Sequence, residues 1–226
     1  MKKLLMSTLC IALLAGCATN TATATATPSA TTSASVTANP SKKVTITNTV
    51  SVTSKTLDMS GYKYLTDKDP AFIQISMKES MRLIDEGGSG ILLYSYPDCP
   101  WCNRAVPVLN VTAKEMGIHV YYIDVYESEL MSSDGKSFTT EGKTIIQSML
   151  THFDSILKHE TNSTTGKSEP TLYTPEVVAI KKGQITDHHT SLVDSFSMNS
   201  EADQMTDEQK AELQGYYEKL IQSAAD

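Results

Sequence analysis

The sequence predicts an α/β protein built around a mixed β-sheet, and three consecutive segments support this prediction. Residues 90–96 form an apolar run of strand length, residues 103–116 carry apolar side chains at helical spacing, and residues 118–125 form a second apolar run. A strand, a helix and a strand in this order are a βαβ unit with parallel strands and a right-handed crossover. The centre of the fold is therefore expected to be parallel.

Further helices are predicted on both sides of this unit. Ser76 to Glu79 fit a capping box and open a helix that runs to about Glu86, where Gly87 and Gly88 end it. Residues 141–158 form an amphipathic helix between two polar loops, at 127–140 and 160–169. This helix either shapes a substrate groove or adds core packing.

The last third of the chain predicts a hairpin and a helix. Thr174-Pro175 opens an apolar strand at 177–180, Lys182-Gly183 is a turn, and residues 184–190 form the antiparallel partner strand, which makes the sheet mixed. A final helix is expected from about Thr206 to Gln222.

The N-terminal quarter has the pattern of an export signal and a tether. Two lysines precede the apolar stretch 4–14, which is too short to span a bilayer. We assign residues 1–16 to the signal, 17–57 to a tether rich in Thr, Ala and Ser, and 58–226 to the folded domain. Val44 to Val52 alternate with polar residues and are either a short strand or the end of the tether.

The signal ends in Leu14-Ala15-Gly16-Cys17, which resembles the processing box of bacterial lipoproteins. The resemblance implies that cleavage precedes Cys17 and that this cysteine is acylated, which would anchor the chain on the extracytoplasmic face of the cell membrane. An ordinary cleaved signal is the alternative. Loss of Lys2 and Lys3 with the signal changes the net charge from −7 to −9, which argues against nucleic acid as a partner.

Two of the four cysteines remain as thiols after processing and acylation. Cys10 leaves with the signal and Cys17 carries the lipid, so Cys99 and Cys102 are either a lone bridge or a redox centre. A bare Cys-x-x-Cys could also be half of a zinc site. Because the mature chain has no second cysteine pair and no histidine close in sequence, we predict no metal.

Residues 76–222 resemble the thioredoxin-like superfamily in element order. Cys99-Pro100-Trp101-Cys102 opens a helix after a buried strand, Pro107 stands where the family often has a helix-kinking proline, and Pro175 lies eight positions before Gly183. The resemblance implies a three-layer sandwich with a helical insertion at about 127–169, and a cis Thr174–Pro175 bond against Cys99. A trans proline at the start of an edge strand is the alternative.

The motif assigns roles in thiol–disulfide exchange. Cys99 is expected to be the outward-pointing nucleophile, helped by the helix dipole, and the more shielded Cys102 the resolving thiol. Thr174 and Pro175 would bind substrate by strand addition, together with Pro100 and Trp101. Trp101 has surface packing as its alternative role. The redox-active disulfide is the only cofactor we expect.

The direction of exchange stays open in the sequence. The Asp98 carboxylate opposes the helix dipole at Cys99. Leu93 stands where thioredoxins place a buried acid that assists proton transfer to the resolving cysteine.

These observations lead to two functional hypotheses. The first is a membrane-tethered, extracytoplasmic and monomeric thiol–disulfide oxidoreductase that acts on exported proteins, with a membrane thiol-electron transporter as redox partner because no flavin or nicotinamide fingerprint is present. The second is a non-catalytic accessory module that binds secreted peptides, as in bacteriocin export.

Overall fold

The computed structural model describes residues 42–226. The predicted signal peptide, Cys17 and the tether up to residue 41 lie outside the described residues. Within residues 42–226 no helix is both long and apolar enough to cross a membrane.

A five-stranded mixed sheet forms the centre of the fold. Its strands in chain order are β1 (Phe72–Gln74), β2 (Gly90–Ser95), β3 (Val120–Asp124), β6 (Glu176–Lys181) and β7 (Gln184–Thr190). Their order across the sheet is β1-β3-β2-β6-β7. β2 is parallel to β3 and antiparallel to β6, and every residue of β2 is buried. The predicted parallel pair and the C-terminal hairpin are thus confirmed, whereas β1 is an additional strand.

Four helices cover the sheet and complete a thioredoxin-like three-layer sandwich. They are α1 (Met77–Asp85), α2 (Cys102–Met116), α3 (Thr140–His152) and α4 (Asp207–Ala224). α2 and α4 pack on one face and α1 and α3 on the other. Each face of the sheet therefore has its own apolar core.

The helix ends are fixed by polar caps. Ser76 caps α1 by accepting from the Glu79 N–H, but the Glu79 carboxylate binds Thr53 N and Arg82 instead of closing the predicted box. Thr206 caps α4 with a complete capping box. Gly117 ends α2 in the left-handed conformation that glycine adopts at low cost.

The insertion, residues 127–169, differs from the prediction in its second half. α3 ends at His152, and the chain then forms a small hairpin of β4 (Lys158–Thr161) and β5 (Ser168–Thr171) where a polar loop was expected. β4 has no buried residue, so its sequence lacks the apolar alternation that marks a half-buried strand. The predicted apolar side chains still pack on the sheet, since Met149, Phe153 and Leu157 are buried in the α1 and α3 face.

The N-terminal segment, residues 42–57, is packed on the domain. Val44 and Ile46 contact the core beneath α2 and α4, and Val50 and Val52 contact the opposite core. The segment is not a strand, apart from one isolated bridge between Ser54 and Ile75. The alternating valines and isoleucines of this segment, which the sequence assigned to the tether, thus bury apolar surface on the domain.

Candidate redox site

The candidate site lies where β2 ends and α2 begins. Cys99 and Cys102 form a disulfide with their Cα atoms 5.1 Å apart. Trp101 is the N-cap residue of α2 and makes no side-chain cap, and the N–H of Asn103 donates to the carbonyl oxygen of Cys99 instead. The N–H of Cys102 donates to Cys99 Sγ at 3.1 Å. The helix start thus directs a donor and the positive end of its dipole at one sulfur.

The two cysteines differ in what they face. Both are almost fully buried, Cys99 with 2% exposure and Cys102 with none. The sequence predicted an outward-pointing Cys99, but neighbouring residues cover this cysteine and leave it only slightly more exposed than Cys102. Cys99 lines a groove on the surface, whereas Cys102 is not among the groove residues. The groove thus reaches the disulfide at Cys99.

The Thr174–Pro175 peptide bond is cis and lies against Cys99, as predicted. The carbonyl oxygen and the hydroxyl of Thr174 are each 3.6 Å from Cys99 Sγ. Trp101 packs edge-on against Phe196 with ring centroids 6.2 Å apart, and it also lines the groove. Both proposed roles of Trp101, packing and contact with a client, are compatible with this position.

The groove beside Cys99 has a volume of about 640 Å³ and is mainly apolar. One wall is aromatic: Tyr96 meets Tyr126 edge-on at 4.8 Å, and Tyr126 stacks on Phe138 at 5.8 Å. Tyr126 is half-exposed. The insertion lines the groove with Phe138 and with α3, and the end of β5 and the loop that leads to Thr174 line it further along the chain. The insertion therefore shapes the groove and also packs in the core.

The position on β2 at which the resemblance to thioredoxins would put a buried acid holds Leu93. Leu93 is fully buried there, in the same core as Cys102. The polar groups nearby are hydroxyls: Tyr62 Oη and Ser95 Oγ are 2.7 Å apart, and burial raises the pKa of Tyr62. Asp124, paired in register with Ser95, has its pKa raised mainly by burial. The polar groups described near Leu93 are thus two neutral hydroxyls and one carboxyl group of raised pKa.

A buried carboxylate follows the cis proline. Glu176 has no exposed surface, and its oxygens accept from His188 Nδ1 at 2.9 Å and from the Thr190 hydroxyl. The hydrogen bond to Glu176 is the main cause of a raised pKa at His188. These contacts hold the start of β6, and with it the Thr174–Pro175 turn, against β7.

Sequence reasoning did not single out Asn103. Its side chain donates to the carbonyl oxygens of Pro97 and Cys99 and accepts from the N–H of Lys63, so it joins both ends of the motif loop to the segment before β1. A polar residue directly after Cys102, at a position that is 92% buried, was the available signal, but burial is not visible in the sequence. Asn103 is a structural support of the motif loop.

The described part of the chain has no group of three His, Cys, Asp or Glu residues placed to hold a metal ion. No protein-family model matches the chain, and no curated protein is significantly similar to it. The class of the molecule thus rests on its fold and site: a thioredoxin-like sandwich with a Cys-x-x-Cys disulfide at the start of a helix, beside a cis proline.

Proposed function

We propose that the protein is a thiol–disulfide oxidoreductase of the thioredoxin-like superfamily, with Cys99 as nucleophile and Cys102 as resolving thiol. One observation carries the proposal: Cys99 Sγ accepts from the N–H of Cys102 at the start of α2, lies 3.6 Å from the Thr174 carbonyl oxygen, and belongs to a residue that lines the groove. A disulfide that only stabilised the fold would not need this access.

The exchange follows from the two sulfurs. In the oxidising direction a client thiolate attacks Cys99 Sγ, the Cys99–Cys102 bond breaks, and Cys102 leaves as a thiolate. A second client thiolate then attacks the client sulfur of the mixed disulfide and releases Cys99. Two electrons and two protons pass from the client to the protein. The reducing direction is the same sequence in reverse.

The groove supports a polypeptide client in extended form. The turn at Thr174 presents backbone groups beside the sulfur, so a client strand could pair with it and place its own cysteine at Cys99. The aromatic and aliphatic walls would then take side chains that flank the client cysteine. Such walls bind apolar side chains with little sequence selectivity. Incompletely folded polypeptides, whose apolar side chains and cysteines are still accessible, are the clients that fit.

The proposed location follows from the N-terminal sequence. Acylation at Cys17 would hold the domain at the cell membrane, on the extracytoplasmic face, where disulfides form in exported proteins. A membrane thiol-electron transporter would supply electrons to a reductase working there. The domain is proposed to act as a monomer.

The burial of Cys99 favours a second candidate, a non-catalytic module that binds secreted peptides. In that case the disulfide would only hold the floor of the groove in shape. Both candidates use the groove, but only the first requires a bond between Cys99 and a client.

A trapping experiment separates the two candidates. The full chain is expressed with its own signal as Cys102→Ala, and mixed disulfides are sought on non-reducing gels after acid quenching. Without a resolving thiol, Cys99 should retain its clients in adducts that a reductant releases. Cys99→Ala is the matched control, because it leaves one thiol in the same motif but none facing the groove.

Adducts in Cys102→Ala and none in Cys99→Ala support the oxidoreductase. If exported and folded Cys102→Ala forms no adducts, the oxidoreductase proposal is wrong and the binding module takes its place. Equal adducts in both variants would also contradict the assigned roles, since they would show that the buried Cys102 reacts as readily as Cys99.

A further inference from the structure

The chain has two arginines, and their surroundings differ. Arg82 is partly exposed and forms ion pairs with the carboxylates of Glu79 and Glu86. Arg104, in the first turn of α2, has only 4% exposure. Within residues 42–226 its guanidinium donates to main-chain carbonyl oxygens and to no carboxylate.

The three carbonyl groups that accept from Arg104 lie on two segments. Nη1 donates to Pro100 O at 2.5 Å, inside the motif. Nε and Nη2 donate to the carbonyl oxygens of Asp203 and Glu201, at 2.7 and 2.6 Å, in the loop before α4. The guanidinium also lies 5.4 Å from the centre of the Tyr64 ring. Arg104 thus joins this loop to the motif and carries a charge there.

A buried ion without a counter-ion is costly, and arginine cannot escape the cost by losing its proton. Carbonyl dipoles solvate the guanidinium but do not neutralise it, and the Asp203 carboxylate, whose pKa Arg104 helps to lower, makes no hydrogen bond to it and offsets only part of the charge. The charge therefore remains at the start of α2 and adds to the positive end of the helix dipole. Because Pro100 is the residue next to Cys99, this field acts on a sulfur whose local donor is the N–H of Cys102.

We propose that Arg104 is a positioning residue of the redox pair: through the Pro100 carbonyl it fixes a permanent positive charge beside the motif, and this charge stabilises the Cys99 thiolate. Stabilising the thiolate favours the dithiol over the disulfide and makes the pair a stronger oxidant. The inference rests on the proposed exchange chemistry at Cys99. Arg104 would then be the third group whose charge acts on Cys99, besides the helix dipole and Asp98.

The test measures the thiol of Cys99 directly. In full-length Cys102→Ala, alkylation by iodoacetamide is followed against pH on the peptide that contains Cys99. At pH values below the pKa of Cys99, Arg104→Gln should lower the fraction of Cys99 present as thiolate about three- to tenfold. This effect is smaller than that of a contact ion pair, because the charge acts across one peptide unit. Arg104→Lys should restore most of the thiolate. Arg82→Gln, the matched control, should change nothing.

A second measurement uses the intact pair. The glutathione equilibrium of the Arg104→Gln variant, with both cysteines present, should shift towards the disulfide by the same factor, and tenfold corresponds to about 30 mV for this two-electron couple. Asp203→Asn keeps the acceptor of the bonds from Asn199 N and Ser200 N but removes a carboxylate near Arg104. It should raise the thiolate fraction about twofold, and it tests the charge even if Arg104→Gln does not fold.

Two outcomes would overturn the inference. One is a pH profile of alkylation in Arg104→Gln that equals that of the parent Cys102→Ala protein. If Arg104→Gln does not fold, the same result in Asp203→Asn overturns the inference. The other is an equal change in Arg104→Gln and Arg104→Lys, because the loop contacts and not the charge would then control Cys99. Both measurements use small reagents and no client, so a failure to trap clients in cells would refute the proposed function without altering this result.

Discussion

Gly142 offers a sharp test of how the insertion sits on the domain. It lies in the first turn of α3 and is buried. A Cβ atom added there would be 2.2 Å from the carbonyl oxygen of Leu130 and 2.9 Å from its Cα and carbonyl carbon, whereas ordinary contact begins at 3.4 Å. These are backbone atoms, which cannot rotate away. Gly142→Ala therefore requires α3 to move by roughly 1 Å relative to the preceding loop.

Two opposing effects set the size of the change. Alanine is favoured over glycine in a helix by about 0.8–1.0 kcal/mol. Overpacking of a close contact costs about 1–3 kcal/mol. We expect Gly142→Ala to lower the free energy of unfolding by up to about 2 kcal/mol. Gly215→Ala is the matched control, because a Cβ at this position in α4 meets nothing within 4 Å. It should raise stability by about 0.5–1 kcal/mol.

Urea unfolding of the oxidised full chain measures both variants. The difference between them should be about 1–3 kcal/mol, with Gly142→Ala the less stable. If Gly142→Ala is stabilised as much as Gly215→Ala, α3 does not pack on the loop at Leu130 and the described groove wall is wrong. Since Met149 on α3 lines the groove, the displaced helix should also weaken the proposed binding of polypeptides there.

Two pH effects follow from ion pairs elsewhere. The hydrogen bond to Glu176 raises the pKa of His188 above its ordinary 6.5, so protonated His188 stabilises the fold fully below pH 6.5 and loses this effect as the pH rises through the raised pKa. The difference in unfolding free energy between wild type and His188→Gln should therefore shrink in urea titrations from pH 6 to 8.5. A difference that stays constant over this range would contradict the His188–Glu176 pair. The Lys114 and Asn110 side chains lower the pKa of Asp67 to about 2, so ionised Asp67 stabilises the fold above pH 3.8 and loses this effect as the pH falls towards 2. An NMR titration of this carboxyl group should have its midpoint near pH 2. A midpoint near 3.8 would exclude the contacts of Asp67 with Lys114 and Asn110.

The periodicity of apolar residues was sufficient to predict the central strands and helix. β2, α2 and β3 were predicted in order and direction, because a fully buried strand and an amphipathic helix leave strong patterns. β1 was missed because three residues are too few to show a period. The β4–β5 hairpin was missed because both strands are polar and lie outside the main sheet.

The site was predicted less completely than the fold. The cysteine pair was predicted from its local motif, and the cis bond at Pro175 from the resemblance to the thioredoxin-like superfamily. The groove joins residues from Met77 to Thr174, and such long-range contacts leave no local pattern. Arg104 was missed for a related reason: two of its three carbonyl partners are about 100 positions away, and carbonyl groups are common to all residue types.

The position of the N-terminal segment determines at which end of the domain a preceding chain or a linker would be attached. Its first described residues lie at the far end of α2: Val44 N donates to Met116 O, and Lys42 pairs with Glu218 on α4. The disulfide lies at the other end of this helix, and fifteen residues of α-helix span about 22 Å. A domain coupled to an electrode or a bead through its N-terminus would therefore present its sulfur pair to the solution, on the side away from the support.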